Sequence, residues 1–237
     1  MAVLSVIIPV YNEQATITEI IKKVLAVTLD PSLAIEIVVV NDGSFDNTVY
    51  AVNDFCHQNK HLPITFVQHT TNKGKGAAIR TGIKVAKGNY IIIQDGDLEY
   101  SPGEYPLLLQ PLLTGHADVV YGSRFVGSKP HRVLFFWHAL GNRVITFFSN
   151  IFCNLNLTDV ECGYKLFKAE ILKSVSLKES RFGFEVEVTM KIARLKNIRI
   201  YEVGISYHGR TYSEGKKVGI KDGWKALWCV FKYGIKF

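Results

Sequence analysis

The sequence lacks the features of several common protein classes. Its 237 residues contain four cysteines, and no two have the Cys-x-x-Cys spacing of a zinc or redox site. No run of about 18 uncharged apolar residues predicts a transmembrane helix, and the N-terminal residues lack the basic region and cleavage site of a signal peptide. There is no internal repeat and no linker-like stretch. We therefore expect a single domain over residues 1–237, located in the cytoplasm with reduced thiols.

Two nucleotide-binding motifs are also absent. The first apolar stretch is not followed by the Gly-x-Gly-x-x-Gly pattern of a nicotinamide dinucleotide fold, and the Gly-x-x-x-x-Gly-Lys-Ser/Thr loop of P-loop NTPases does not occur. The glycine-rich stretch at residues 72–76 opens a predicted helix. It indicates either a loop near a phosphate or a tight connection.

The composition is typical of a globular domain with a sizeable core. Apolar residues make up 48% of the chain and charged residues 21%. The 28 Lys and Arg residues exceed the 21 Asp and Glu residues, which gives a net charge of +7. A basic surface attracts the phosphates of nucleotides, anionic lipids or nucleic acids. Because no recognised nucleic-acid-binding motif is present, we expect no nucleic-acid partner.

Short β-branched runs alternate with helical patterns over the first 125 residues. The predicted strands are residues 4–10, 35–40, 64–68, 90–94 and 118–121. Helical spacing of apolar residues predicts a helix over 14–27. This alternation predicts an α/β fold with a mainly parallel sheet and helices on both faces. After residue 125 we predict strands at 164–167 and 198–203, and a helix at 185–195.

Ligands of open α/β sheets bind beyond the carboxyl ends of the strands. The strand at 90–94 is followed by Asp95, Gly96 and Asp97, with Glu99 two residues further on. Two carboxylates at this spacing can hold Mg²⁺ or Mn²⁺, with the remaining ligands supplied by a diphosphate. A solvated Asp-Gly turn is the alternative.

The segments at four strand ends together resemble the inverting family 2 glycosyltransferases of GT-A fold. They are PVYNE at 9–13, NDGS at 41–44, DGD at 95–97 and GSR at 122–124. Three later segments resemble polyprenol-phosphate sugar synthases, including dolichol-phosphate mannosyltransferases. They are DVECGYKLF at 159–167, FGFEVE at 182–187 and EVGISYHGRTYSEGKK at 202–217.

The resemblance implies a GT-A nucleotide-sugar transferase, with residues 1–125 binding the nucleotide sugar and 126–237 facing the acceptor and the membrane. The implied reaction moves a hexosyl group, with mannose favoured, from GDP-mannose or a UDP-hexose to a polyprenyl or dolichyl phosphate. Mg²⁺ or Mn²⁺ is the implied cofactor. The alternatives are UDP-glucose or another UDP-sugar as donor, or a saccharide hydroxyl as acceptor in cell-surface polysaccharide synthesis.

The resemblance also assigns roles to residues of the nucleotide-sugar-binding half. Pro9, Tyr11 and Glu13 match residues that enclose the nucleotide base and ribose. Val40 and Asp42 match a base-contacting pair.

Further matches concern the sugar, the metal and the phosphates. Asp95 and Gly96 would face the ribose and the sugar. Asp97 matches the principal metal ligand, with Glu99 as its companion and Asp95 beside it. Arg124 matches an arginine that reaches the sugar or the phosphates.

The remaining matches lie in the second half of the chain. Arg210 and Lys216 match basic residues that hold the donor phosphates, and with Asp97 and Arg124 they are the residues assigned to catalysis. His138, Asn142 and Arg143 are candidates for holding the acceptor phosphate. The sequence departs from the mannosyltransferase pattern close to these three, because Leu140 stands where an arginine often precedes the glycine.

A lipid acceptor implies contact with a membrane. Residues 133–157 are apolar and aromatic enough to lie in an interface. On a C-terminal helix, one stripe would carry Lys221, Lys225, Lys232 and Lys236 beside Trp224, Trp228, Phe231 and Ile235. This pattern predicts either a helix on an anionic membrane surface or a core-packed helix with a solvated lysine edge. We expect peripheral binding at the cytoplasmic face of a membrane, directly or through a membrane partner subunit.

Overall fold

The computed structural model describes residues 1–133, 135–215, 217 and 219–235. Within these residues, seven strands form one sheet in the order β3-β2-β1-β4-β6-β5-β7. The strands are β1 (Ala2–Val10), β2 (Leu33–Asn41), β3 (Ile64–Gln68), β4 (Tyr90–Ile93), β5 (Val119–Ser123), β6 (Lys165–Lys168) and β7 (Ile200–Gly204). Each lies where an apolar run predicted it, within two residues at either end.

Helices connect the strands. They are α1 (Ile17–Leu25), α2 (Thr48–Gln58), α3 (Lys75–Val85), α4 (Tyr105–Leu113), α5 (Phe136–Cys153), α6 (Ala169–Ser174), α7 (Phe184–Ile192) and α8 (Ile220–Gly234). The predicted helices over 14–27 and 185–195 correspond to α1 and α7. Helix α1 is shorter at both ends, and α7 begins one residue earlier and ends three residues earlier than predicted.

Hydrophobic clusters cover both faces of the sheet. On one face, β1 and β2 contribute side chains that pack against α1, α2 and α4. On the other face, alternate strand residues pack against α3, α5, α7 and α8. The β-branched runs are buried on both sides because helices cover both faces, as expected for a mainly parallel sheet.

Strand β6 is the exception to the parallel arrangement. It pairs antiparallel with both β4 and β5, whereas the other strand pairs are parallel. Its beginning, and not its end, therefore lies at the edge where the parallel strands finish. This reversal brings the loop at residues 159–164 to the same edge as the Asp-Gly-Asp segment.

Candidate functional site

A cleft of about 1320 Å³ opens at the carboxyl ends of the parallel strands. Many of the predicted site residues line it: Pro9, Tyr11, Glu13, Asp42, Asp95, Gly96, Asp97, Glu99, Arg124, His138, Asn142 and Arg210. The site residues come together because β1, β2, β4 and β5 end at one edge, and the loop before α8 closes over it.

Three predicted residues stand apart from this group. The Val40 side chain is fully buried in the core, and its base contact stays a prediction. Arg143 is exposed on α5 and is not among the described residues that line the cleft. Lys216 lies outside the described residues.

Arg210 lies among three carboxylates at the centre of the site. Its Nη2 donates to Asp97 Oδ2 at 3.0 Å and to Glu13 Oε1 at 3.2 Å. Its Nε lies 3.5 Å from Glu99 Oε1, and its backbone N–H donates to the same oxygen at 2.7 Å. The guanidinium is thus the counter-ion of the Asp-Gly-Asp region.

Lys217, in the loop that precedes α8, contacts the end of β1. Its ammonium donates to Glu13 Oε1 at 2.6 Å and to the Tyr11 carbonyl at 2.5 Å. A phosphate contact is predicted for its neighbour Lys216, and none was predicted for Lys217. The adjacency of the two lysines in the Gly-Lys-Lys segment is the sequence feature that could have indicated Lys217.

Asp42 shapes the loop that follows β3. Its Oδ1 accepts from the Lys73 backbone N–H at 3.0 Å and contacts His69 Nδ1 at 2.7 Å. Its Oδ2 accepts from the Gly74 N–H at 2.7 Å. A side chain at Gly74 would overlap the Ser180 carbonyl, and its φ of +98° also favours glycine. The glycine-rich stretch is therefore held at the cleft edge by Asp42.

Asp97 is an unusual carboxylate. Burial, with the charges of Asp95 and Glu99, raises its pKa from 3.8 to about 7, although Arg210 acts in the opposite direction. Leu98, which separates Asp97 from Glu99, has a left-handed φ of +63°. That conformation is costly for a leucine, and it belongs to the turn that keeps both neighbouring carboxylates in the cleft.

Arg124 lines the cleft and pairs there with a carboxylate of the protein. Its Nε and Nη2 form a bidentate pair with Asp159 at 2.6 and 2.7 Å, and its backbone N–H donates to the same carboxylate. Asn142 also donates to Asp159, at 2.9 Å. Asp159 is fully buried. Asp159 therefore compensates the charge of Arg124 and ties it to the loop at 159–163, while the contact of Arg124 with the sugar or the phosphates stays a prediction.

Lys75 and two carboxylates were missed as site residues. Lys75 Nζ lies 2.8 Å from Asp95 Oδ1 and 3.1 Å from Glu185 Oε1. Burial opposes its charge, but these two carboxylates raise the pKa of Lys75. Glu161 lines the same part of the cleft. The segments that contain them were recognised, but nothing in their spacing shows that three distant parts of the chain meet.

The fit of the predicted metal ligands is uneven. No group of three or more His, Cys, Asp or Glu residues arranged to hold a metal occurs in the described part of the chain. Both oxygens of Asp95 contact Lys75, and those of Glu99 accept from the Arg210 N–H and the Tyr207 hydroxyl. Asp97 is engaged as well, because its Oδ2 accepts from Arg210 and its Oδ1 from the Glu99 N–H. Asp95, Asp97 and Glu99 all offer the oxygen ligands that suit a hard cation, and they stay the predicted metal ligands.

The cleft as a whole is more acidic than the protein. Among the described residues that line it, eight are Asp or Glu and five are Lys or Arg. The whole chain has the opposite balance, with a net charge of +7. A ligand that carries phosphates into this cleft therefore meets a shortage of positive charge.

An aromatic surface adjoins the mouth of the cleft. We define it by Phe136, Trp137, Phe147, Trp224 and Trp228, each at least 60% exposed. Helices α5 and α8 pack together beneath it. Phe136, Trp137 and Trp224 also line the cleft, so the aromatic surface and the site are continuous.

Helix α8 packs on the core and keeps an exposed edge, which is the second of the two predicted alternatives, and its contact with a membrane stays a prediction. Its Ala226 and Val230 are buried in the core, while Lys221 and Lys225 are exposed. Lys232 pairs with Glu179 at 2.6 Å instead of extending the lysine edge. Lys236 lies outside the described residues. Of the described helices, none is both long and apolar enough to cross a bilayer.

Sequence comparison identifies the family. The family described as Glycosyl transferase family 2 matches residues 5–176, which is most of the chain. The chain therefore belongs to glycosyl transferase family 2, and the resemblance of its strand-end motifs is confirmed. The enzyme class is that of a glycosyltransferase.

Individual relatives vary in length and named activity. An uncharacterized protein of Methanocaldococcus jannaschii is 34% identical, over 87% of this chain and 90% of its own length. The dolichol-phosphate mannosyltransferase of Pyrococcus furiosus is 27% identical, over 90% of this chain and 60% of its own. The dodecaprenyl-phosphate galacturonate synthase of Rhizobium johnstonii is 25% identical, over 90% of this chain and 61% of its own.

Solved structures agree on the fold. Glucosyl-3-phosphoglycerate synthase of Mycobacterium tuberculosis, in complex with Mn²⁺, UDP and glucosyl-3-phosphoglycerate, has a TM-score of 0.74 and 19% identity. The match covers 98% of this chain and 80% of that one. The predicted GT-A fold is confirmed.

Proposed function

We propose that the protein transfers a hexosyl group from a nucleoside-diphosphate sugar to a polyprenyl phosphate, with inversion at the anomeric carbon. The observation that carries this proposal is the continuity of the acidic cleft with the aromatic surface. One end of the site is suited to a polar donor, and the other is suited to an acceptor whose tail stays in a lipid layer. The named activities of relatives with lipid-phosphate acceptors support the same acceptor class.

In the proposed reaction, an oxygen of the acceptor phosphate attacks the anomeric carbon as the bond to the nucleoside diphosphate breaks. This oxygen is already largely anionic at neutral pH, so the step needs no strong general base. The work of the protein is then alignment and charge compensation. Arg210 and Lys217 hold the leaving diphosphate, and Asp42 orders the loop beside the donor. Lys216 and Arg143 stay predicted phosphate contacts.

A divalent cation is part of the proposal. Mg²⁺ or Mn²⁺, when bound, would supply the positive charge that a diphosphate needs in this cleft. Asp97 would hold it. The Mn²⁺ and UDP in the structurally similar synthase support this assignment. Arg210 would exchange its contact with Asp97 for one with the diphosphate.

We further propose that the aromatic surface docks on the cytoplasmic face of an anionic membrane. Exposed Trp and Phe side chains suit the interfacial region, and the adjacent Lys221 and Lys225 suit anionic headgroups. Vesicle co-sedimentation tests this docking. The variant Trp224→Ser with Trp228→Ser should lose most of the bound fraction, while Tyr50→Ser should not. Tyr50 is 73% exposed and lies on α2, which packs on the other face of the sheet.

A donor screen tests the transfer reaction. The protein is incubated with detergent-solubilised polyprenyl phosphate, Mn²⁺ and radiolabelled GDP-mannose, UDP-glucose or another UDP-hexose, and label is scored in the organic phase. We expect label from one donor, lost in Asp97→Ala and after chelation. Label on an added saccharide in place of the lipid would contradict the proposed acceptor. Mannose stays the favoured sugar from the sequence resemblance.

A further inference from the structure

One wall of the cleft has buried carboxylate oxygens that no protein group satisfies. We define the acidic wall as Asp95, Glu161 and Glu185, with Lys75 set between Asp95 and Glu185. Glu185 is 4% exposed, and its Oε2 has no hydrogen-bond partner. Glu161 Oε1 is likewise shielded from solvent and without a partner. Buried polar atoms in native proteins are normally satisfied, so unsatisfied ones that line a cleft indicate a ligand.

The position of the acidic wall indicates which part of a ligand would reach it. The loop at 159–163 packs directly on the Asp-Gly-Asp segment, since a side chain at Gly163 would come within 2.5 Å of Asp95 Oδ2. Lys75 joins Asp95 to Glu185 through contacts of 2.8 and 3.1 Å. The acidic wall is thus continuous with the first aspartate of the segment, while Arg210 and Lys217 lie on the side of Asp97 and Glu13.

The chemistry of the acidic wall favours hydroxyl groups over anions. Carboxylate oxygens accept hydrogen bonds from sugar hydroxyls, and such charge-assisted bonds are strong. Burial and the charge of Glu185 raise the pKa of Glu161 to about 8. At neutral pH Glu161 is therefore mostly protonated and can donate a hydrogen bond to a hydroxyl oxygen, while the negative charge of the wall lies on Asp95 and Glu185. Lys165 lies near both glutamates, but its ammonium donates to the Val160 and Cys162 carbonyls and does not line the cleft.

We propose that Glu161 and Glu185 bind the hydroxyl groups of the transferred sugar and select a neutral hexosyl group over a hexuronosyl group. The inference rests on the proposed function and deepens it by naming the substrate class. A hexuronate would bring its own carboxylate against the acidic wall, and like charges at close range are strongly disfavoured. The galacturonate named for one relative shows that this choice is a real one within the family.

Calorimetric binding with Mn²⁺ tests the inference without any acceptor. UDP and GDP are titrated first to find the preferred base. The matched pair for that base follows, either UDP-glucose with UDP-glucuronate or GDP-mannose with GDP-mannuronate. We expect the neutral sugar to bind at least about tenfold more tightly than the uronate. Glu185→Gln should narrow the ratio of the two affinities severalfold at pH 7, and Glu161→Gln should do so only above about pH 8, where Glu161 is ionised.

Two control variants distinguish the effect of the acidic wall from the general electrostatic field of the cleft. Asp222→Asn removes a carboxylate that lines the cleft elsewhere, and Glu170→Gln removes an exposed one on α6. Both variants should keep the wild-type ratio of neutral-sugar affinity to uronate affinity. Unchanged affinity for the bare nucleoside diphosphate shows that each variant retains a folded site.

The outcomes distinguish this inference from the proposed function. Equal binding of hexose and hexuronate, or a ratio that neither glutamine variant changes, would overturn the inference while leaving the transfer reaction intact. Discrimination in binding without label in the organic phase would support the inference and contradict the lipid acceptor. Failure of every nucleotide and nucleotide sugar to bind would overturn both.

Discussion

Neutralising Asp97 should stabilise the donor-free protein while abolishing its activity. The side chain is buried beside Asp95 and Glu99, and its pKa rises from 3.8 to about 7. Asp97→Asn removes the charge with almost no change of shape. Arg210 keeps Glu13 and Glu99 as partners in the variant, at 3.2 and 3.5 Å. The substitution therefore relieves repulsion without leaving the guanidinium unpaired.

The size of the effect follows from the two pKa values. Because the folded-state pKa is above the unfolded one, the contribution of Asp97 to stability is full below about pH 4 and is lost as the pH rises through about 7. Each unit of pKa corresponds to about 1.4 kcal/mol. The free energy of unfolding should therefore rise by about 4 kcal/mol at pH 8 and by about 2 kcal/mol at pH 5.

Thermal unfolding at these two pH values, with a chelator and without nucleotide, measures the difference. For a chain of this size, 1 kcal/mol moves Tm by about 2–4 °C, so the gain at pH 8 should be roughly 10 °C and that at pH 5 about half as large. Asp54→Asn, an exposed carboxylate on α2, is the matched control. A lower Tm for Asp97→Asn at pH 8, or a gain that does not depend on pH, would refute the reasoning.

Three further predictions concern the groups that position the site. Asp159→Ala leaves a buried guanidinium uncompensated and should lower the free energy of unfolding by about 3–5 kcal/mol in urea titrations; an unchanged midpoint would contradict the pairing. Gly163→Ala places a carbon 2.5 Å from Asp95 Oδ2, so donor affinity measured by calorimetry should fall, while Gly103→Ala, with no contact under 3.4 Å, serves as its control. Arg210→Gln leaves Asp97 and Glu99 without their cation, while Glu13 keeps Lys217, and it should lower Tm more at pH 8 than at pH 5, with Arg210→Lys restoring part of the loss.

The sequence predicted the strands well because each is a β-branched run buried on both faces. The direction of each strand in the sheet was harder to predict. Strand β6 is four residues long, and nothing in Lys165–Lys168 distinguishes a parallel strand from an antiparallel one. Its reversal is nevertheless what brings Glu161 to the cleft. The strand-end residues were predicted because the carboxyl ends of parallel strands share an edge, which is a property of the fold and not of any local pattern.

Contacts between residues that are far apart in the chain limited how much of the site could be predicted. Arg124 was expected to reach a ligand, and its pairing with Asp159, 35 residues further on, was not predicted. Lys75 meets Glu185, a contact that depends on α3 and α7 packing on the same face of the sheet. Val40 was assigned from its place in a motif, whereas its burial depends on the helices above it. Local patterns predict elements, but pairing of charges is decided by the tertiary structure.

The opposite charges of the cleft and of the whole chain suit the two anionic substrates of the proposed reaction. The net charge of +7 favours approach to an anionic membrane, and the exposed Lys221 and Lys225 lie beside the aromatic surface. Inside the cleft, an excess of carboxylates disfavours a bare diphosphate, so donor binding must coincide with the arrival of a cation or the release of Arg210 from Asp97. In the donor-free protein Arg210 compensates those carboxylates. Occupation of the cleft by an isolated phosphate is therefore disfavoured, and a donor that brings its own cation is preferred.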